Sequence, residues 1–104
     1  MKLEELNKLL NTLGYKVAYS HFNEATKPPF ITYLVNGTDN FGADNKVYHK
    51  IKNVDIELYT DKKDLEAEKK IEDLLELNDF FWNSNEVYIE SEKLYQVTYE
   101  ITLI

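Results

Sequence analysis

The sequence predicts an α+β domain: an antiparallel sheet packed by two helices on one face, ordered helix, strands, helix, strands, with a long loop or hairpin arm. Three observations carry this. Leu3, Leu6, Leu10 and Leu13 recur at helical spacing near the start. A second helical stripe, Ala67, Ile71, Leu74 and Leu75, lies in a charged stretch past the middle. Tyr95, Val97, Tyr99, Ile101 and Leu103 alternate with Gln96, Thr98, Glu100 and Thr102 near the end, the period-two signature of a strand with one buried and one wet face. The length of 104 residues suits one domain over 1–104, with 43% apolar residues to form its core.

The first helix is amphipathic, with Glu4, Glu5, Asn7, Lys8 and Asn11 between its leucines, and Gly14 is placed to end it. Tyr15, Val17, Tyr19 and His21 then alternate with Lys16, Ala18 and Ser20 as a strand. Pro28-Pro29 cannot sit in a central strand and reads as a bend or edge. Phe30 to Val35 is apolar at nearly every position, as in a strand covered on both faces.

Asn36 to Lys46 holds two of the three glycines among Asn and Asp residues, and reads as a loop or extended hairpin tip forming a long arm. Val47 to Tyr59 is a long strand. Val47 and Ile51 fall in one alternation phase and Val54, Ile56 and Leu58 in the other, so a bulge or bend is expected near Lys52-Asn53. In the second helix, Asp61 to Asn78, the only uncharged residues up to Asp73 are Leu65, Ala67 and Ile71. These charges read as a solvated face, and Asp61 or Asp64 serves as N-cap. Phe80-Phe81-Trp82 leads through a polar Asn83-Ser84-Asn85 turn to a short strand, Val87 to Ile89, and then to the strand from Leu94 to Ile104.

Composition excludes several chemistries. With no cysteine there is no disulfide, thiolate ligand or cysteine nucleophile. A net charge of −7 opposes a DNA-gripping role, because acidic surfaces are repelled by phosphates. Met1-Lys2-Leu3-Glu4-Glu5 places acids where a signal peptide needs an apolar run, and no stretch has the roughly 20 apolar residues of a membrane span. His21 and His49 lack metal-ligand spacing, and Ser20, Ser84 and Ser91 lie in no nucleophile-elbow context. Asp39-Asn40 and Asp44-Asn45 lack the ligand alternation and distal Glu of a calcium loop. Gly14, Gly37 and Gly42 are too scattered for a phosphate loop. No catalytic residue, metal or cofactor is expected.

Four segments carry a resemblance: Asn40-Phe41-Gly42-Ala43-Asp44-Asn45-Lys46-Val47-Tyr48, Val54 to Asp64, Tyr88 to Tyr99, and Pro29-Phe30-Ile31-Thr32-Tyr33. Together they resemble small proteins from the structural modules of Gram-positive prophages, similar to the tail-completion or tail-to-head joining proteins of siphophages. The resemblance covers most of the chain and is weaker over the first helix and over Phe80 to Asn85. The family often carries a proline where this chain has Leu65.

The resemblance implies an α+β virion subunit, made in the host bacterial cytoplasm, that assembles into a ring, commonly a hexamer. The ring completes or terminates the tail tube and joins it to the capsid connector, and DNA passes through its lumen without specific binding. The partners expected are further copies and other tail or connector proteins, with no membrane. Asn40, Phe41, Asp44, Asn45, Val47 and Tyr48 are expected at a subunit interface. The alternatives are a head-completion connector or minor capsid component, and a prophage-encoded cytoplasmic regulator or adaptor.

Overall fold

The computed structural model describes residues 1–43 and 46–104, with side chains for 1–39 and 51–104. The chain is α+β: α1 (Leu3–Asn11), β1 (Lys16–Tyr19), β2 (Phe30–Ala43), β3 (Lys46–Thr60), α2 (Leu65–Leu77), β4 (Asn83–Ile89) and β5 (Leu94–Leu103). The five strands form one sheet in the spatial order β1-β2-β3-β5-β4.

In α1, Leu6 and Leu10 are fully buried, while Leu3 and Leu13 pack partly on the core. The Glu5 carboxylate accepts the Lys2 backbone N–H at 3.3 Å, satisfying a donor at the open first turn. Asp64 caps α2, accepting the Ala67 N–H at 3.0 Å. At the other end the Asn78 side-chain amide donates to the Leu74 carbonyl at 2.8 Å, and Asp79 takes a left-handed φ of 60°. The helix buries Ala67, Ile71 and Leu75, four residues apart on one stripe.

Register aligns the buried strand residues. Ile31 lies opposite Leu58 and Tyr33 opposite Ile56; Leu58, Ile56 and Val54 lie opposite Val97, Tyr99 and Ile101. This core face, with the leucines of α1 and the stripe of α2, makes one hydrophobic cluster. Two tyrosines of that face reach helix residues. The Tyr33 hydroxyl donates to Asn7 Oδ1 at 3.0 Å, and the Tyr99 hydroxyl to Glu72 Oε2 at 2.8 Å. Burial and the adjoining Glu72 push the Tyr99 phenol well above its ordinary value.

Three expectations are corrected. The sheet is mixed, not antiparallel, because β1 pairs parallel to β2 from Lys16–Phe30 to Tyr19–Tyr33. The connection through residues 20–29 runs back along the short β1, so β2 starts beside β1's first residue and follows the same direction. Ten residues are ample for that return at roughly 3.3 Å each. Second, the polar Asn83–Asn85 segment is strand, paired from Asn83–Glu100 onward. At the sheet edge its side chains are exposed, so pairing proceeds without an apolar alternation. Third, the register shift facing Asn53 puts the extra residue in β2, at Asn36 between Val35 and Gly37, and leaves β3 continuous there.

Of the segment expected as a loop or extended hairpin tip, the hairpin form is observed: Asn36 to Ala43 lies in β2 and Lys46 opens β3.

Candidate functional site

The hairpin outgrows the body of the sheet. On one side β1 pairs with β2 only as far as Tyr33, with one further hydrogen bond from the Val35 N–H to the Tyr19 hydroxyl at 3.1 Å. On the other side β5 pairs with β3 only from Lys52 onward. Beyond these points, among the described residues, β2 and β3 pair with each other alone, from Asp39–Ile51 to Ala43–Lys46. At ~3.3 Å per residue, the β2 strand of this arm, Asp39 to Ala43, projects roughly 15 Å. The principal extents of 50 × 28 × 23 Å match a body with one long projection.

The root of the arm is tied to the body. The Asn53 side-chain amide donates to Asp39 Oδ2 at 3.0 Å, and Thr102 Oγ1 donates to Asn53 Oδ1 at 3.4 Å. One side chain thus links β2, β3 and β5 where the arm leaves the sheet. A second register shift, between Phe41 and Gly42, leaves Tyr48 as the extra residue of β3. Bulges at both ends of the arm add local twist, which turns its free edges away from flat stacking.

The residues expected at an interface fall on this arm. Asn40 pairs with Lys50, Phe41 with His49 and Val47 with Gly42, and Tyr48 sits at the bulge. The side chains of these residues lie outside the described set, as do Asp44 and Asn45 entirely.

The sheet face opposite the core carries a polar cluster. Thr32 Oγ1 donates to Glu57 Oε1 at 2.8 Å, and Gln96 Nε2 donates to Glu57 Oε2 at 3.1 Å and to the Tyr59 hydroxyl at 2.7 Å. Burial raises the Glu57 carboxyl above its usual value; the hydrogen bond from Thr32 offsets part of this, and the nearby Asp55 charge adds to it. Burial raises Tyr59 too, with Glu57 as the second cause. The loop 20–29 leans on this corner: Phe22 meets Phe30 edge-on, and Phe30 stacks on Tyr59 with ring centroids 4.9 Å apart.

Every buried side-chain polar atom among the described residues has a hydrogen-bond partner. Among those residues no group of three or more His, Asp or Glu is placed to hold a metal ion. His21 is exposed, with Nδ1 3.2 Å from Ser20 Oγ, while Ser84 and Ser91 are exposed on β4 and in the turn after it. No described helix is long and apolar enough to cross a membrane.

Two surface features escaped the sequence reading. Phe81 is 97% exposed beside Trp82, which packs edge-on against Tyr99. β4 is a seven-residue sheet edge, and Val87 and Tyr88 on it are nearly half exposed. Val87 to Ile89 reads as strand in the sequence, but Asn83–Asn85 reads as a turn, so the full length of the edge was not visible.

The sequence matches no protein-family model, and no curated protein matches it significantly.

Proposed function

We propose that this chain is a structural subunit of the head-to-tail junction of a long-tailed phage or prophage, acting by assembly and not by catalysis. Copies form a ring, commonly of six, that completes the tail tube and joins it to the capsid connector. The subunit is made in the bacterial cytoplasm and resides in the virion, with no metal or cofactor.

The observation that carries this reading is the paired arm of β2 and β3, projecting past every other strand of the sheet. Among the described residues the arm's outer edges pair with no other strand, and a two-stranded ribbon of that kind buries little by itself and so gains most by meeting another chain. The four segments of family resemblance support the same reading, and the first of them lies on the arm. The finer packing belongs with it: both helices cover the core face, which leaves the opposite face, the sheet edges and the arm for neighbours.

The test replaces Asn40–Lys50 with Asn-Gly in the phage or prophage that encodes the protein. The shortened subunit is expected to stay folded while full heads accumulate beside unattached tails in electron micrographs. Mass spectrometry of purified wild-type particles is expected to detect the chain. Normal infectious particles carrying the shortened arm overturn the reading. Defective empty heads with no free full heads place the subunit on the head side. Its absence from particles, with presence in infected cells, identifies a regulator or adaptor.

A further inference from the structure

Building on the arm as an assembly element, we propose that the β4 edge of one copy accepts the arm of a second copy by strand addition. The donor is the β3 side of the arm, Lys46 to Ile51, whose outer edge lies beyond the reach of β5.

β4 is an open acceptor. It ends the sheet, and its register with β5 is unbroken from Asn83–Glu100 to Ile89–Leu94, so its outer edge runs straight for seven residues. It lacks the devices that usually blunt an edge: Asn83–Ile89 holds no lysine, no proline and no bulge. Among the described residues no backbone group outside β5 pairs with its outer side within the strand; the one turn contact is the Glu92 N–H on the Ile89 carbonyl. The opposite edge contrasts with it. β1 has four residues, begins with a lysine, and stops at Ser20, where φ is 67°. The loop 20–29 then packs its Phe22 against Phe30 beside it.

Length and charge select the donor. Lys46 to Ile51 supplies six residues for a seven-residue acceptor and contains two lysines and no acid. The chain outside the arm is acidic: of 19 acids and 12 lysines in all, only Asp39 and Asp44, with Lys46, Lys50 and Lys52, belong to residues 37–52. The one charge on β4 is the acid Glu86, whose carboxylate Lys63 also holds, so a basic strand added there meets no cation on the edge strand itself. Pairing of β4 with β4 of a second copy fits less well. Glu86 is the midpoint of Asn83–Ile89, so full antiparallel self-pairing sets Glu86 against its own copy.

An arm-to-edge contact joins two different surfaces. It is a head-to-tail interface, which closes into a ring when the rotation per subunit permits.

A mixing experiment tests this with two full-length variants. Val87→Lys guards the acceptor edge and keeps the arm; the Asn40–Lys50 replacement removes the donor and keeps the edge. Asn85→Lys, also at an exposed position, serves as a second edge guard should Val87→Lys fail to fold. Sedimentation velocity of the wild type is expected to show concentration-dependent association up to millimolar concentration. Each variant alone is expected to stay at its monomer mass, near 12.3 kDa for Val87→Lys and lower for the shortened chain, and their equimolar mixture to reach the sum of the two masses and stop. Association of the arm-shortened variant alone identifies β4 self-pairing and overturns the proposal. Association of the edge-guarded variant alone identifies arm-to-arm contact and overturns it as well. A wild type that remains monomeric throughout also overturns it. Particles lost on arm shortening with no mixed dimer sink the edge contact and leave the junction role standing. A mixed dimer with normal particles does the reverse.

Discussion

Shortening the arm must leave the body intact if the arm is an assembly element. Replacing Asn40–Lys50 with Asn-Gly keeps Asp39–Ile51 as the last cross-strand pair and the Asn53–Asp39 bond at the root. It removes four pairs: Asn40–Lys50, Phe41–His49, Gly42–Val47 and Ala43–Lys46. At a few tenths of a kcal/mol each, these contribute about 1 kcal/mol. Against that, closing a link of two residues in place of eleven recovers roughly 1.5 kcal/mol of chain entropy. Among the described residues no member of the hydrophobic cluster lies between Val35 and Val54, so every described core residue is kept. The net change is within about 1 kcal/mol, or ~4–8 °C in Tm for a domain of this size. Urea unfolding followed by Trp82 fluorescence measures it, since Trp82 packs edge-on against fully buried Tyr99 and so reports on the core. A loss above about 3 kcal/mol would mean that the arm is part of the folding core and that assembly defects of the shortened protein report misfolding.

Three further outcomes follow from the body of the fold. Tyr99→Phe removes the hydroxyl donor from the Glu72 carboxylate and is expected to cost about 1–2 kcal/mol in urea unfolding, whereas Glu72→Ala with Tyr99→Phe should cost little more than Glu72→Ala alone; fully additive losses would refute the coupling. Glu57→Gln tests the polar face. Because the folded-state carboxyl lies above its ordinary value of 4.5, the folded chain holds the proton longer than the unfolded one, and this stability is present at low pH and is lost as pH rises through the raised value. Wild type should therefore lose stability relative to Glu57→Gln across that window, and parallel pH profiles would contradict it. Ile56→Ala, fully buried in central β3, should cost about 2–5 kcal/mol by denaturant titration; a loss under 1 kcal/mol would remove Ile56 from the core.

The parts of the fold legible in sequence are those where burial writes a pattern. β5 shows strict alternation because Val97, Tyr99, Ile101 and Leu103 are buried while Glu100 and Thr102 are exposed. The stripe of α2 is legible for the same reason, with Ala67, Ile71 and Leu75 at no exposure at all. β4 and the arm obey a different constraint. Their pairing is made by backbone groups, so Asn83–Asn85 and Gly37–Ala43 extend as strand on sequences that favour turns. The direction of β1 was illegible because it is set by the path of residues 20–29, not by the residues of the strand. A register shift was expected near Lys52-Asn53 and one faces Asn53, but β3 is regular there and β2 holds the extra residue at Asn36. The candidate interface positions came from the resemblance together with the long polar arm read over Asn36 to Lys46.

The polar face constrains how copies of this chain can meet. Asp55 stands directly opposite Glu100, a like-charged cross-strand pair that is tolerable only while water screens it. Glu57 lies two residues along the same face, already held by Thr32 and Gln96. Stacking a second copy there would strip water from three carboxylates that take part in none of the described ion pairs, which are Lys63 with Glu68 and Glu86, Lys69 with Asp73, Lys70 with Glu66, and Lys93 with Glu90; Lys16, opposite Phe30, shares the face but stands on the edge strand β1. Desolvating unpaired carboxylates costs several kcal/mol each, more than a modest apolar contact returns. Contact through strand edges avoids that penalty, because added backbone hydrogen bonds run in the plane of the sheet and leave both faces as they are. An acidic face kept wet in this way can line a passage for DNA without holding it, so edge-on assembly and a repelling lumen are consistent demands on one sheet.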